Sequence, residues 1–392
     1  MPPRSASIVG PPTALDACLT GYYDQSMLSD LAPTTLHARR KRLEHRLRAE
    51  GFDTFVSAAP ADVRYFTGSE EANGTVLLTI TGDCVLVLPA VSFVGAGDTC
   101  RDTRLVSLTL AEDQGAAITR ELSSLAARRI VIGELPRSIL VNADSHARFD
   151  SLAHRPGLGA SIRRQKEPTE VALLTRAARI ADEALRVALA AVAPGATELA
   201  VAADAEAAMK RAGAESTAFR TIVASGFRSA WPNGFASRKS IQPGDIGFID
   251  IGPLVRGYHG DATRAFVVGT PSPEQRAMID TVEEALARAL GVIRPGVAAA
   301  DVFGVIVDVI ENRGYRGCFP HHGGHALGLF GAEPPWLEPG ERDQLRAGDF
   351  MAVEPGVYVP GFGGVRLEED VVVRAYGVDL LTTCPHIRIV SQ

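Results

Sequence analysis

The sequence predicts an α/β chain of two domains, and three observations carry that prediction. Its 392 residues exceed what one hydrophobic core usually organises. An amphipathic helix followed by short apolar runs of strand length occupies the first part. After a break at residues 154–166, where Arg155-Pro156-Gly157 precedes a charged stretch, the chain repeats its own helix punctuation.

Taken in order, residues 1–35 are rich in Pro, Ser and Thr without a period and read as an N-terminal extension. The first domain, residues 36–160, opens on a helix from Leu36 to Gly51 with Leu43 and Leu47 on one face. Its basic run Arg39-Arg40-Lys41-Arg42 is expected to be a solvated helix face. Strands are expected over 54–57, 75–80, 84–88 and 130–132. The second domain, residues 161–392, begins with a helix whose Leu173, Ala177, Ile180, Ala184 and Val187 fall on one face. That helix stops at Pro194-Gly195, and its successor closes at Gly213. A helix from Pro273 stops at Pro295-Gly296, and its successor closes at Gly314, so both glycine pairs are 18 residues apart. Ser272 is placed to cap the Pro273 helix, with Gln275 completing a capping box.

Composition narrows the function classes. A net charge of −6, with no stretch concentrating Lys and Arg, argues against nucleic acid as a partner. The five cysteines are scattered and form no CxxC pair, so neither a disulfide framework nor a zinc knuckle is indicated, and a cytoplasmic protein is expected. The first 35 residues lack a signal-peptide core, and no apolar run nears the roughly 20 residues that span a bilayer, so no membrane partner is expected.

The chemistry lies in two acidic hairpins. In the run from Phe248 to Asp261, extended segments flank a turn containing Gly and Pro; a turn centred between Val255 and Arg256 sets Asp250 directly opposite Asp261. Downstream, a hairpin centred near Gly361 sets Glu354 opposite Glu368. Facing carboxylates repel, and burying them costs several kcal/mol or forces protonation. The same device at matching points of two similar halves implies cations, and four carboxylates suit two divalent metals. The Gly-rich stretch His321-His322-Gly323-Gly324-His325 is expected to supply one imidazole ligand. Two such metals about 3.5 to 4 Å apart share a bridging hydroxide and polarise the bond under attack, which makes hydrolysis the natural outcome.

At these residues the chain resembles the pita-bread metallohydrolases, the group that includes prolidase, aminopeptidase P, methionine aminopeptidase and creatinase. The stretch from Ala59 to Gly68 looks like that family's N-terminal signature, and Lys166-Glu167-Pro168-Thr169-Glu170 like the start of its catalytic domain. Asp250, Asp261, His325 in Gly-His-x-x-Gly, Glu354 in Glu-Pro-Gly and Glu368 in Val-Arg-x-Glu fall where the family places its five metal ligands. The resemblance implies a pseudo-two-fold, curved antiparallel sheet backed by helices, behind a smaller creatinase-like N-terminal domain. It also implies two divalent ions, manganese first and cobalt, iron or zinc as substitutes, and a homodimer. His321 matches a histidine that hydrogen-bonds the substrate carbonyl or tetrahedral intermediate. Glu354 matches the carboxylate that shuttles a proton, and Thr263, Tyr358 and Arg366 match positions that orient the ligands.

Two positions depart from the pattern. Prolidase and aminopeptidase P carry substrate-holding histidines where this chain has Asn233 and Ala332, although Glu333-Pro334-Pro335 continues the familiar pattern. The expected function is therefore an Xaa-Pro aminopeptidase or dipeptidase with a rebuilt substrate pocket acting on a small peptide. The alternative is a non-peptidase hydrolase or lyase that cleaves a small-molecule amide or amidine C–N bond. A catalytically dead binding module is disfavoured because all five ligand positions are kept.

Overall fold

The computed structural model describes residues 33–136 and 149–391. Most of the extension read over residues 1–35 lies outside them. Helix α1 (Pro33–Glu50) begins just ahead of the expected Leu36 and buries Leu36, Leu43 and Leu47. It packs with α2 (Pro60–Thr67) beside a six-stranded sheet of β1 (Thr54–Ser57), β2 (Thr75–Thr79), β3 (Cys84–Pro89), β4 (Arg104–Leu108), β5 (Arg129–Ile132) and β6 (Ser151–His154). The order is β4-β3-β2-β1-β5-β6. The four expected strands are its interior. The two edges, β4 and β6, were illegible because they are largely solvated and carry no apolar alternation.

The basic run of α1 is not the solvated face expected. Arg39 is only 1% exposed, and Arg40 is also buried. Arg39 donates to the Tyr65 carbonyl at 3.2 Å and to Glu167 at 3.0 Å, while Arg40 donates to the carbonyls of Phe66, Asp102 and Arg101 at 2.7–2.9 Å. The last carbonyls of α2 lack intrahelical partners, and the two guanidiniums supply them. A second clasp joins the domains: Arg163 pairs with Asp62 and, at 3.2 Å, with Glu333, which also accepts from Lys166 at 3.0 Å. All four side chains are buried, so each charge depends on the others being present.

The second domain repeats itself bond for bond. Helices α3 (Pro168–Ala191) and α4 (Glu198–Arg211) precede the first half, and α5 (Pro273–Val292) and α6 (Ala299–Asn312) the second. Gly195, Gly213, Gly296 and Gly314 all adopt left-handed φ of 86–100°; Gly213 and Gly314 directly follow the C-caps of α4 and α6, while Gly195 and Gly296 lie in the turns three residues past the C-caps of α3 and α5. Gly195 N–H donates to the Ile241 carbonyl and Gly296 N–H to that of Leu345; Gly244 and Gly348 donate likewise to Val268 and Val373. Ser272 and Gln275 form the expected capping box. The core stripe of α3 holds the expected Ala177, Ile180 and Ala184 and widens by about one residue toward Leu174, Ala181, Leu185 and Ala188. Val187, on the side away from that widening, is 40% exposed.

The strands after α4 are β7 (Ser216–Thr217), β8 (Ile222–Ser225), β9 (Ile246–Ile251), β10 (Pro253–Val255), β11 (Tyr258–His259) and β12 (Ala262–Val268). Those after α6 are β13 (Gly324–Ala326), β14 (Glu333–Trp336), β15 (Phe350–Val353), β16 (Gly356–Val359), β17 (Gly363–Arg366), β18 (Glu369–Arg374), β19 (Gly377–Leu380) and β20 (Ile387–Val390). Two ladders dominate, β20-β12-β9-β8 and β14-β13-β15-β18-β19. Every pairing in them is antiparallel except β12 with β20. Glu368 N–H donates to the Thr263 carbonyl at 3.2 Å, tying one ladder to the other at the place where the acidic residues meet.

Candidate metal centre

Asp250 and Glu354 hold equivalent places in the two halves. Each lies five residues after an aspartate, Asp245 or Asp349, whose Oδ2 accepts the N–H three residues before it, from Gln242 or Arg346. In the second half the expected register holds: β15 with β18 and β16 with β17 share one register, which carries Glu354 opposite Glu368. In the first half it does not. The turn is centred on Arg256-Gly257, both with positive φ (48° and 79°), the mark of a tight hairpin turn that matches strand twist. Asp250 therefore faces Thr263, and Asp261 lies just beyond the start of β12. The two-residue slip keeps Asp261 on the same face of the strand as Thr263, because side chains alternate with period two. It leaves Thr263 as the first-half counterpart of Glu368, to which its hydroxyl donates at 2.8 Å.

All five carboxylate and imidazole groups are buried. Ligand atoms of Asp261, His325 and Glu368 lie within 4.8 Å of one another, as do those of His321, His322 and Glu354. His325 links the sets, its Nε2 being 3.7 Å from Asp261 and 3.6 Å from Glu354. Its Nδ1 sits 3.2 Å from the Ala326 carbonyl, so with the proton donated there the Nε2 lone pair points at two carboxylates. Asp250 stands apart from both sets: Oδ2 is bonded by Arg366 and Oδ1, fully buried, has no partner.

Burial, then the neighbouring carboxylates, pushes Asp250 up and Asp261 and Glu368 well above the usual carboxylate range. Burial opposes Glu354 too, but His322, with Nδ1 3.2 Å away, and then His325 and His321 hold it at about 2. Burial lowers His325 and takes His321 down to about 4. Carboxyl groups crowded and buried so that the metal-free chain favours their protonated forms, with a buried unpartnered oxygen among them, fit divalent cations as the missing counter-charge.

A hydrogen-bonded chain braces the cluster. Arg366 reaches Asp250, the Thr263 hydroxyl at 3.3 Å, the Tyr358 hydroxyl at 3.0 Å and the Pro232 carbonyl at 3.0 Å. Tyr358 in turn donates to His321 Nε2 at 2.8 Å, since His321 Nδ1 lies 2.8 Å from the His322 carbonyl and carries the proton. Close backbone approach sets His325: Gly324 has φ of 149°, and a Cβ there would lie 2.1 Å from the Ala352 carbonyl on β15. Gly324→Ala is expected to force β13 from β15 and cost about 2–3 kcal/mol in denaturant unfolding; an unchanged midpoint would show that the strands accommodate it.

The cluster floors a cleft of about 380 Å³ walled by Phe219, Ile222, Pro232, Asn233 and Phe235. Asn233 thus stands at the site, whereas Ala332 is not among the residues lining the cleft. Sequence reasoning missed His322, 3.2 Å from Glu354, and Trp336, whose ring packs on His322 and His325. It also missed Asp370, buried beside the site, whose Oδ2 accepts the Asp261 N–H at 3.0 Å and whose Oδ1 is unpartnered. The signal was present: Glu368-Glu369-Asp370 is an acidic run entering the apolar Val371-Val372-Val373.

Residues 172–375 match the family model described as metallopeptidase family M24, and residues 39–151 that of the creatinase/prolidase N-terminal domain. The chain belongs to metallopeptidase family M24. It is a metallohydrolase of pita-bread fold with a creatinase-like N-terminal domain. It is 31% identical over 345 residues to an Xaa-Pro dipeptidase of Pyrococcus furiosus, covering 88% of this chain and 97% of that one. Among solved structures, an Xaa-Pro dipeptidase from Bacillus anthracis superposes with a TM-score of 0.84 at 29% identity, covering 91% of this M24 chain and 100% of the other. An X-Pro aminopeptidase from Thermotoga maritima gives 0.81 at 29% identity, covering 90% and 99%. Among the described residues, no helix is long and apolar enough to cross a membrane.

Proposed function

We propose that this M24 chain hydrolyses the peptide bond preceding proline in short peptides, using two divalent cations held by Asp250, Asp261, His325, Glu354 and Glu368. The observation that carries the reading is the convergence of buried Asp261 and Glu354 on the lone pair of His325 with Glu368 beside them, supported by likeness to Xaa-Pro dipeptidases over nearly the whole chain. When bound, the cations supply a water acidified toward neutral pH and polarisation of the scissile carbonyl. The protein's own groups do the rest. Glu354, the carboxylate held ionised at neutral pH, accepts the proton of the attacking water and passes it to the leaving nitrogen. His321, which lines the cleft and is held by the Tyr358 hydroxyl at 2.8 Å, is the group we place beside the oxygen that becomes negative. Arg366 and Thr263 fix the orientation of Asp250 and Glu368.

Manganese is the cation we propose, since oxygen-rich ligation with one imidazole suits it, with cobalt, iron or zinc as substitutes. We place the protein in the cytoplasm, a reading supported by four described cysteines that stand as free thiols, and as a homodimer by its family resemblance. A second reading, hydrolysis of a small-molecule C–N bond, is favoured by one observation: an uncharged carboxamide, Asn233, lines the cleft. The two are separated by offering Xaa-Pro dipeptides and tripeptides to the manganese- or cobalt-loaded protein. Turnover is expected; its absence at every metal loading would leave the second reading.

A further inference from the structure

A dipeptide bound in this cleft brings a free α-carboxylate close to four carboxylates, so a positive group must meet it. The nitrogen donors in and around the cleft are already committed. Arg366 spends its donors on Asp250, Thr263, Tyr358 and Pro232. His321 has one ring nitrogen on the His322 carbonyl and the other on Tyr358, and His322 directs Nδ1 at Glu354. Arg228, above Trp231, is paired with Glu198 at 3.0 Å and also donates to the Phe235 carbonyl.

Arg220 differs from all of these. It is exposed, lies between the wall residues Phe219 and Ile222, and forms no ion pair with a described residue. Its guanidinium is stacked over the ring of Phe235, itself a cleft wall, at 4.6 Å from the centroid. Stacking holds the planar guanidinium by its face against this wall residue, which leaves its in-plane N–H edges unengaged by the ring and limits the side-chain freedom lost on binding. A guanidinium so presented matches a carboxylate with two parallel hydrogen bonds.

The geometry points to Arg220 as the residue that recognises the free α-carboxylate of a dipeptide, setting a preference for dipeptides over C-terminally extended or blocked peptides. This rests on the Xaa-Pro reading above. The test compares Ala-Pro with Ala-prolinamide, using the full-length manganese-loaded protein and its Arg220→Gln and Arg220→Lys variants. Arg220→Gln is expected to raise KM for Ala-Pro about tenfold, the effect of one exposed charge-assisted contact, with kcat within about twofold. The amide's kcat/KM moves less than about twofold, and Arg220→Lys recovers part of the Ala-Pro loss as a point charge without the fork. Equal changes for both substrates, or none, would overturn the assignment while leaving the peptidase reading intact. No hydrolysis of either substrate by the unsubstituted protein would overturn both together.

Discussion

Replacement of Glu354 by Gln is expected to leave the fold in place and reduce kcat by about three orders of magnitude, the span over which a positioned proton-transfer group acts. The substitution is nearly isosteric, so the neighbouring backbone and the β15–β18 register have no steric reason to move. What changes is chemical. A carboxamide cannot accept the proton of the attacking water, and it presents a donor or one neutral oxygen to His322, which lies 3.2 Å from the native carboxylate. With metal content matched between the two proteins, since Glu354 also helps hold the cations, KM is expected to change far less than kcat, because the proton is transferred only in the transition state. Circular dichroism and steady-state kinetics of the variant check the claim. Activity within tenfold of the unsubstituted protein would remove Glu354 from the proton path.

The metal-free protein is expected to lose thermal stability between about pH 7 and about pH 8.5, and divalent cations to restore it. Asp250 is pushed up, and Asp261, Glu368 and Asp370 well up, chiefly by burial. A carboxyl whose folded pKa lies above its unfolded value keeps a proton that the unfolded chain has released. Its contribution therefore favours the folded state at low pH and erodes as pH rises through the folded pKa. His259, His321 and His325 are lowered by burial and run the opposite way: they favour the folded state as pH rises toward the unfolded histidine value. Above about pH 7 that gain is nearly complete, so the raised groups dominate the window: the carboxyls, and the thiols of Cys84, Cys100 and Cys384, which burial also pushes up and which cations at the carboxylate cluster do not relieve. Glu354, held at about 2, is constant there. Cations replace protons among these oxygens, so the metal-induced rise in Tm should be larger at about pH 8.5 by about 5 °C or more, the response to a few kcal/mol in a chain this long. A metal-free Tm that is flat or rises across the window would mean the carboxylates are separated or solvated in solution.

Much of this site was legible before the fold because its ingredients are local. Paired strand segments around turn residues identify a hairpin, and an acidic residue in an otherwise apolar strand such as Phe248-Ile249-Asp250-Ile251 stands out against its neighbours. The Pro-Gly punctuation at Gly195 and Gly296 exposed the repeat because the turn joining each pair of helices needs a residue tolerant of left-handed φ. The first hairpin was mis-registered because its turn was assigned one residue early. Moving the turn to Arg256-Gly257 shifts every pairing by two, which alternation hides, since the same face is still presented. Arg39 and Arg40 were misread for a different reason: a charged residue on a helix reads as solvated unless its partners are known, and here they are carbonyls at the end of another helix.

By itself the sequence determined the two-domain α/β organisation, the internal repeat and the identity of the acidic residues and histidine that gather at its centre, because each depends on spacing within a few turns of chain. Only the tertiary structure decided that Thr263 and not Asp261 opposes Asp250, that Asp370, His322 and Trp336 crowd the same space, and that Asn233 reaches the cleft while Ala332 does not. The physical reason is that these contacts join residues from separate strands and loops and, for Asp261 with Asp370, from both halves of the pseudo-symmetric domain, and distance across a folded sheet is set by packing and strand register, which no local pattern encodes.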